Sequence, residues 1–381
     1  MKVLFLTHYT KLYGANRSLI NLIEGLKVIG VEGIVLSPGY GDLTEELQKK
    51  GIQFKVTSFY TELYYMRGFS RIKGLHRHFL NKLAYPKIKE IVEDINPDII
   101  HTNTSGLHIG CHIAYELKIP HIWHIREFGE LDYRQKFNLG RRNYLKWLNR
   151  SDGIIAISNA IRKVALADVT HKVEVIYNGT IFKAEIPELN KDQVINGEAI
   201  NFGIIGSLQP EKGQEVAILS FQKIQKEFPA SKLKIFGDSA VGYDVYLKDL
   251  VEELKIKKSV EFCGYVPDTK SIYNEVDVVL MCSKNEGMGR VTVEAMTYGK
   301  PVIGYKGGAT PELIEDGTNG FLFLSETELY AMMRKFVDNP SLINQMGGNG
   351  QKIASSKFTI EDYCKRVYEY YIAIVGGTSS S

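Results

Sequence analysis

Short apolar runs alternate with longer amphipathic segments along almost the whole chain. The apolar runs are continuous, rich in Ile, Val and Leu, and bounded by Gly, Pro or Asp. This pattern is typical of parallel strands that are buried on both faces and separated by helices. Twelve such runs predict strands: KVLFLTH, GIVLS, PDIIHTN, PHIWHIRE, DGIIAIS, KVEVIYNG, INFGIIGS, KLKIFGD, VEFCGYV, DVVLMCS, KPVIGYK and GFLFL.

The alternation breaks once, at residues 184–199, which are polar, lack periodicity and contain a proline. We interpret this segment as a linker. A chain of 381 residues exceeds what one hydrophobic core usually supports. The pattern therefore predicts an α/β protein with two doubly wound, Rossmann-like domains, residues 1–183 and 200–358, facing each other across a cleft. Residues 359–375 are expected to form a C-terminal helix that packs back on the first domain.

The composition, 44% hydrophobic and 24% charged, is that of an ordinary globular protein. No apolar run approaches the roughly 18 residues that a membrane-spanning helix needs. The run from Val3 to Leu6 is too short for a signal-peptide core. The four cysteines show no CxxC pair or metal-ligand spacing, so we expect free thiols in a reducing cytoplasm.

Two basic stretches stand out against a net charge of only +3. Residues 67–89 contain seven Lys and Arg, residues 133–150 contain six, and neither stretch contains an acid. Both are mixed with aromatic residues. Such a run can be a solvated helix face. It can also be a surface that attracts anionic lipid headgroups or the phosphates of an acceptor. No nucleic-acid partner is expected. The candidates for that second role are Arg71, Arg77, Arg141 and Arg142.

Candidate chemistry lies where the strand DVVLMCS leads through KNEGMG into the helix RVTVEAMTYG. Ligands of doubly wound domains bind at the carboxyl ends of strands, beside helix N-termini. Gly287 and Gly289 would let the backbone approach a ligand, and the free N–H groups of residues 289–292 would face a phosphate. Glu286 and Glu294 flank this anion site and can accept hydrogen bonds from hydroxyls. The spacing therefore suits a nucleotide-diphosphate sugar.

The residues alone leave simpler interpretations open, because short motifs often match by chance. Glu286 could be a solvated loop residue, and Glu294 an ordinary acid in the first turn of a helix. Lys212 could likewise be solvated. Its place beside Gly213, after a strand and at a helix start, favours a phosphate contact.

These residues resemble a known family. The motif EGxGxxxxEAM at 286–296, followed by GKPVI and GGATPELIEDGTNGF, is similar to the donor-site signature of retaining glycosyltransferases of the GT-B fold. The resemblance is closest to family four, the group 1 glycosyltransferases. The segments HYTKLYGANRSL, HIWHIREF, IYNGTIF and IGSLQPEKG extend it over nearly the whole chain.

The resemblance implies the GT-B fold and transfer of a sugar, with retention, from a nucleotide-diphosphate donor. On family frequency we expect a UDP-sugar and a lipid-linked or cell-surface glycan acceptor. No cofactor and no metal are expected, since the sequence lacks a metal-ligand cluster and Lys212 can take the place of a cation at the diphosphate. The enzyme would be cytoplasmic, with peripheral contact at the inner face of the membrane.

The resemblance also assigns roles to residues. It implies that His124 lines the reaction centre, Glu286 contacts the donor sugar and Lys212 neutralises the diphosphate. Glu294 would bind the ribose, and Gly14 would let the first loop approach the diphosphate. The other donor-binding candidates are Arg17, Gly206, Ser207, Gly287, Met288, Gly289, Arg290 and Val291.

One departure from the family bears on activity. The family usually has Arg directly after the glycine that matches Gly206, and this chain has Ser207. Arg290 or Arg17 is a candidate to replace the missing charge. The alternative is a non-catalytic sugar-nucleotide-binding or partner module of the same fold. A nicotinamide-dependent enzyme is disfavoured, because neither domain has GxGxxG in its first strand-to-helix turn.

Overall fold

The structure, a computed structural model, describes residues 1–66, 70–131, 135–189, 199–239 and 242–378. The chain forms two compact units, Met1–Gly179 with Ile360–Ser381, and Thr180–Thr359. Most of the predicted linker, at residues 190–198, lies outside the described residues. So do the first residues of the two basic stretches, 67–69 and 133–134.

Seven strands of the first unit form one parallel sheet. They are β1 (Lys2–Leu6), β2 (Glu32–Ser37), β3 (Gln53–Val56), β5 (Ile99–Thr102), β6 (His121–Ile125), β8 (Gly153–Ala156) and β9 (Val173–Val175). Their order is β3-β2-β1-β5-β6-β8-β9, and Leu4 is in register with both Ile34 and Ile100. The strand order reverses between β1 and β5. Doubly wound sheets bind their ligands beyond the carboxyl ends of strands at such a switch point.

Two further strands of this unit, β4 (Leu63–Tyr65) and β7 (Gln135–Phe137), pair antiparallel in a separate sheet. The hydrophobic pattern predicted neither of them, nor the edge strand β3. Strands β4 and β7 have three residues each, and β3 has no fully buried residue. The α-helices described before residue 180 are α1 (Gly14–Val28), α2 (Asp42–Lys49), α3 (Ser70–Ile95), α4 (Ile109–Leu117), α5 (Gly140–Leu148) and α6 (Asn159–Val164).

Six strands of the second unit form another parallel sheet. They are β10 (Asn201–Ile205), β11 (Lys232–Phe236), β12 (Val260–Gly264), β13 (Val278–Met281), β14 (Val302–Tyr305) and β15 (Gly320–Phe323). Their order is β12-β11-β10-β13-β14-β15, so the switch point lies between β10 and β13. All twelve predicted strands are therefore present, and the prediction of two Rossmann-like α/β domains is confirmed.

The α-helices of the second unit are α7 (Gln214–Glu227), α8 (Tyr243–Glu253), α9 (Thr269–Asn274), α10 (Arg290–Thr297), α11 (Thr310–Leu313), α12 (Glu326–Asp338) and α13 (Ser341–Lys357). The last helix, α14 (Ile360–Thr378), belongs to the first unit. In α14, the Tyr371 hydroxyl is 2.7 Å from His101 Nδ1, and the Cys364 thiol is 3.5 Å from the Leu22 carbonyl. Among the described residues, no helix has the length and apolarity that crossing a membrane requires.

Candidate active site

The switch point of the second sheet gathers most of the predicted donor-site residues. Gly206 and Ser207 directly follow β10, and Lys212 ends the short 3-10 helix Pro210–Lys212. Residues 282–289, with Glu286, Gly287, buried Met288 and Gly289, connect β13 to α10. Because β10 and β13 are neighbouring parallel strands, both loops leave the same edge of the sheet.

Lys212 and Glu286 form an ion pair at this edge. Lys212 Nζ lies 2.5 Å from Glu286 Oε1, and the two side chains are 28% and 14% exposed. An ammonium has three donors and a carboxylate has two acceptor oxygens, so each group keeps capacity for another partner. The pair can therefore bind an anion through Lys212 and a hydroxyl through Glu286 at the same time.

The backbone of Glu286 is in close contact with Gly308 and Ala309. Gly308 has φ of +54°, and a Cβ on it would lie 2.6 Å from both the nitrogen and the oxygen of Glu286. The next residue, Ala309, donates its N–H to the Glu286 carbonyl at 2.8 Å. Only glycine combines this conformation with so close an approach. The contact gives the sequence motif GGATPE a physical role, which is to position Glu286.

Gly289 is the N-cap of helix α10, and its φ of +92° is left-handed. The first N–H groups of the helix have no partner within the helix and carry its positive dipole end. Arg290 and Val291 occupy the first turn. Arg290 Nε donates to Glu294 Oε1 at 2.5 Å, across one turn on the same side of the helix. The predicted anion site and the predicted ribose ligand thus belong to one short helix.

Tyr273 of α9 is a second partner of Glu294, with its hydroxyl 3.4 Å from Oε2. Burial, and next the Glu294 charge, raise the pKa of Tyr273 well above its usual value, so the phenol stays protonated as a donor. A polar cavity of about 300 Å³ lies beside Arg290 and Glu294, and its walls include Asp268, Thr297 and Tyr298. Hydroxyls and carboxylates of this kind are suited to a nucleoside.

Three buried hydroxyl groups of the same elements have no hydrogen-bond partner among the described residues. They belong to Ser283 after β13, Thr292 in the first turn of α10 and Thr310 at the start of α11. The Nη1 atom of Arg290 is also unpartnered. Buried polar groups are nearly always hydrogen-bonded, so these atoms mark the edge of the sheet where a polar ligand is expected.

In the first unit, the first loop is organised by a residue that sequence reasoning missed. Asn16 is fully buried, and its Nδ2 donates to the carbonyls of Tyr9 and Lys11 at 3.0 and 2.8 Å. Gly14 is the first residue of α1, and no heavy atom lies within 4 Å of a Cβ built on it. Arg17 donates through Nε to the Leu12 carbonyl at 3.1 Å.

His124 does not occupy an accessible position. It lies inside β6 with 0% of its side chain exposed, and its Nδ1 is 3.2 Å from Nε2 of His101. Burial, then the Arg126 charge, then His101, hold the pKa of His124 well below its usual value. His124 is therefore a buried, neutral ring whose Nε2 has no hydrogen-bond partner among the described residues. Its place at the reaction centre, which the resemblance alone implied, stays a prediction.

Arg126 and Glu127 lie directly after β6, at the carboxyl edge of the first sheet. Arg126 is buried and donates to Asn103 Oδ1 at 2.5 Å and Asn178 Oδ1 at 2.6 Å. Glu127 Oε1 accepts from the backbone and hydroxyl of Ser105 at 2.6 and 2.7 Å. In the sequence, this network is indicated by the polar end of PDIIHTNTS and by Arg126 and Glu127 at the end of PHIWHIRE, which could equally have been a surface ion pair.

The four arginines assigned to an acceptor or membrane surface differ in their surroundings. Arg71 and Arg77 lie on α3, and Arg141 and Arg142 lie on α5. Arg141 Nη2 pairs with Asp168 Oδ2 at 3.0 Å, whereas Arg71 and Arg142 are exposed. In the part of the chain that the structure describes, no group of three or more His, Cys, Asp or Glu side chains could hold a metal ion.

A parallel doubly wound unit with a lysine–glutamate pair and a helix N-terminus at its switch point is typical of nucleotide-binding α/β proteins. Residues 185–353 match the family Glycosyl transferases group 1, and residues 13–181 match Glycosyltransferase Family 4. The alpha-monoglucosyldiacylglycerol synthase of Streptococcus pneumoniae is 30% identical over 316 residues, 76% of this chain and 69% of that protein. The chain belongs to the group 1, family four, glycosyltransferases.

Two further relatives agree with this assignment. The N-acetyl-alpha-D-glucosaminyl L-malate synthase of Bacillus anthracis is 26% identical over 77% of this chain and 79% of that protein. The crystal structure of Anabaena HepE in complex with UDP and glucose superposes with a TM-score of 0.78 at 25% identity, covering 97% of this chain and 99% of that one. The predicted GT-B fold is therefore confirmed, and the protein is a glycosyltransferase.

Proposed function

We propose that this enzyme transfers a sugar, with retention of configuration, from a UDP-sugar to a lipid-linked or cell-surface glycan acceptor. The observation that carries the proposal is the ion pair of Lys212 and Glu286 at the switch point, one loop away from the N-terminus of α10. Anabaena HepE was solved with UDP and glucose, and the Streptococcus pneumoniae relative is a glucosyldiacylglycerol synthase. These two proteins support the choice of UDP and of a lipid acceptor.

In this mechanism the second unit holds the donor. The N–H groups that start α10 and the Lys212 ammonium stabilise the charge that develops on the leaving diphosphate. Glu286 accepts hydrogen bonds from sugar hydroxyls and orients the ring without attacking it. The bond between the anomeric carbon and the diphosphate breaks as the acceptor hydroxyl attacks from the same face, and the acceptor's proton passes to the leaving phosphate oxygen. No metal enters this scheme. The enzyme would be cytoplasmic and would act at the inner face of the membrane.

A non-catalytic sugar-nucleotide-binding module is the second candidate. Ser207 is exposed and supplies no charge where the family has Arg. The Ser207 carbonyl accepts a hydrogen bond from Gln214 at 3.0 Å, so the loop is ordered without that arginine. Binding of UDP without any turnover would favour this candidate.

Glu294→Ala is expected to weaken the binding of UDP and of the intact donor alike, because both carry the ribose. Loss of hydrogen bonds to a charged group costs about 1.5–3 kcal/mol, or roughly 10- to 150-fold in Kd. Isothermal titration calorimetry with UDP measures the change.

Glu253→Ala is the matched control, since Glu253 is an exposed glutamate of α8 outside the candidate site. This control variant should bind UDP as the wild type does. Unchanged UDP affinity in Glu294→Ala would show that this carboxylate is not the ribose ligand.

A further inference from the structure

Four large apolar side chains form an exposed stripe along α3. Ile72 is 63% exposed, Leu75 47%, Phe79 56% and Leu83 62%. Their spacing of three, four and four residues places them on one side of a helix. Isolated exposed apolar residues are common on protein surfaces, but a continuous apolar strip marks an interaction site.

The opposite side of α3 is anchored to the first unit, so the helix cannot turn the stripe inward. Asn81 is buried, accepts from the Tyr60 N–H and donates to the Tyr60 carbonyl, both at 2.8 Å. Asn81 also donates to Glu62 Oε1 at 2.9 Å. Ile88 and Val92 continue this buried side. The orientation of the stripe is therefore fixed by the fold.

Basic side chains border the stripe along its length. At 100° per residue, Arg71 and Lys82 lie on one side of it, and Lys73 and Lys87 lie on the other. None of these four belongs to an ion pair within residues 70–131 or the other described segments. No acid occurs between residues 70 and 89. An apolar strip between two basic margins is the arrangement of a helix that lies in a membrane interface.

The second basic stretch differs from the first. Arg141 is paired with Asp168, and the Arg150 guanidinium lies over the rings of Tyr115 and Trp147 at 5.4 and 5.3 Å. On α5, Tyr144 and Leu148 are buried. The structure thus separates the two stretches that the sequence treated alike, because α3 presents four exposed large apolar side chains and α5 presents none.

We propose that the stripe of α3, Ile72, Leu75, Phe79 and Leu83, docks on an anionic lipid bilayer with its basic margins against the headgroups. The stripe is convex and about 16 Å long at 1.5 Å per residue, a shape that suits a fluid surface. This proposal rests on the proposed function, because docking on the bilayer would bring the enzyme to its lipid-linked acceptor.

The anchoring of α3 connects the docking surface to the polar edge of the first sheet. Glu62, the partner of Asn81, donates its N–H to the Gly106 carbonyl at 2.7 Å. Gly106 follows Ser105, whose backbone N–H donates to the Glu127 carboxylate. Docking through α3 would therefore fix the orientation of these loops relative to the lipid surface.

The test is cosedimentation of the full chain with phosphatidylcholine vesicles, with and without phosphatidylglycerol, at low and high salt. The wild type should bind the anionic vesicles at low salt and not the neutral ones. Phe79→Ser with Leu83→Ser should lower the partition coefficient at least about tenfold. Arg71→Glu with Lys82→Glu should lower it similarly.

Val28→Ser on α1, which is 80% exposed, and Arg141→Glu with Arg142→Glu are the matched controls and should bind as the wild type does. Absence of wild-type binding to anionic vesicles would overturn the lipid assignment and leave an acidic protein as the partner. Equal loss in the controls would overturn the choice of α3. UDP affinity is measured on the same samples, so failure of docking is distinguished from failure of the proposed function.

Discussion

Lowering the pH from 7.5 to 5.5 is expected to destabilise the first unit by at least about 2.5 kcal/mol, while the second unit keeps its stability. The effect originates in four buried histidines of the first unit, His101, His108, His121 and His124, each at most 2% exposed. Burial is the largest cause in every case. It lowers the pKa of His108 to about 4 and of His121 to about 3, and holds those of His101 and His124 well below the usual value.

The direction follows from proton linkage. In the unfolded chain these histidines titrate near their ordinary pKa of about 6.5. Above that pH neither state binds the protons, so the histidines do not affect stability. Below it the unfolded state takes up protons that the folded state excludes. The free energy of unfolding therefore decreases from about pH 6.5 to about pH 4. A loss of this size is a large part of a typical domain's stability.

The distribution of residues provides an internal control. All nine histidines precede residue 172, and both tryptophans, Trp123 and Trp147, lie in the first unit. Urea unfolding followed by tryptophan fluorescence therefore reports the first unit, and hydrogen exchange in β10–β15 reports the second. A fluorescence midpoint that does not move between the two pH values would contradict this account of the buried histidines.

Glu286→Gln is expected to lower turnover by roughly 10²–10³, the cost of removing one preorganised electrostatic contact from a transition state. The substitution keeps the shape of the side chain but removes the charge that pairs with Lys212 at 2.5 Å. Free UDP lacks the sugar, so its affinity should change less than about threefold. Steady-state kinetics with the preferred UDP-sugar, together with calorimetry for UDP, measure the two effects.

Lys212→Met is the informative comparison, because Lys212 is assigned to the diphosphate rather than to the sugar. This variant should lose UDP affinity as well as turnover. If Glu286→Gln weakened UDP binding as much as Glu294→Ala, the division of roles between the two glutamates would be wrong.

Periodicity predicted the fold because the core strands are buried on both faces. In β5, β6, β8 and β13 every residue is buried, and such runs stand out in any sequence. The pattern missed β3, β4 and β7, which are short or partly exposed and take their conformation from tertiary contacts. Local patterns carry little information about such strands.

The candidate site was predictable where one loop and one helix carry it, and not where distant segments meet. Glu286 and Glu294 could be named from their spacing around a helix start. Their partners could not, because Tyr273 and Gly308 reach them through the fold. For His124 the resemblance implied a role that stays a prediction. What the sequence did not indicate is that this side chain is fully buried.

The second basic stretch shows the same limitation in the prediction of surfaces. Composition identified two basic and aromatic stretches as equals. Only the three-dimensional arrangement shows that Arg141 is paired and that the apolar residues of α3 face solvent. Which side of a helix is buried depends on the elements that pack against it, and those lie elsewhere in the sequence.

The central claim is that this chain is an active, retaining UDP-sugar glycosyltransferase. The most direct test is to incubate the wild type with a panel of UDP-sugars and a lipid extract in the presence of EDTA. Released UDP is quantified, and the product's anomeric configuration is read by NMR. We expect one of the UDP-sugars to release UDP in a reaction that depends on the acceptor, and the product to keep the donor's anomeric configuration. Lys212→Met should release no UDP and form no product. UDP binding without release from any sugar nucleotide, or an inverted product, would contradict the central claim.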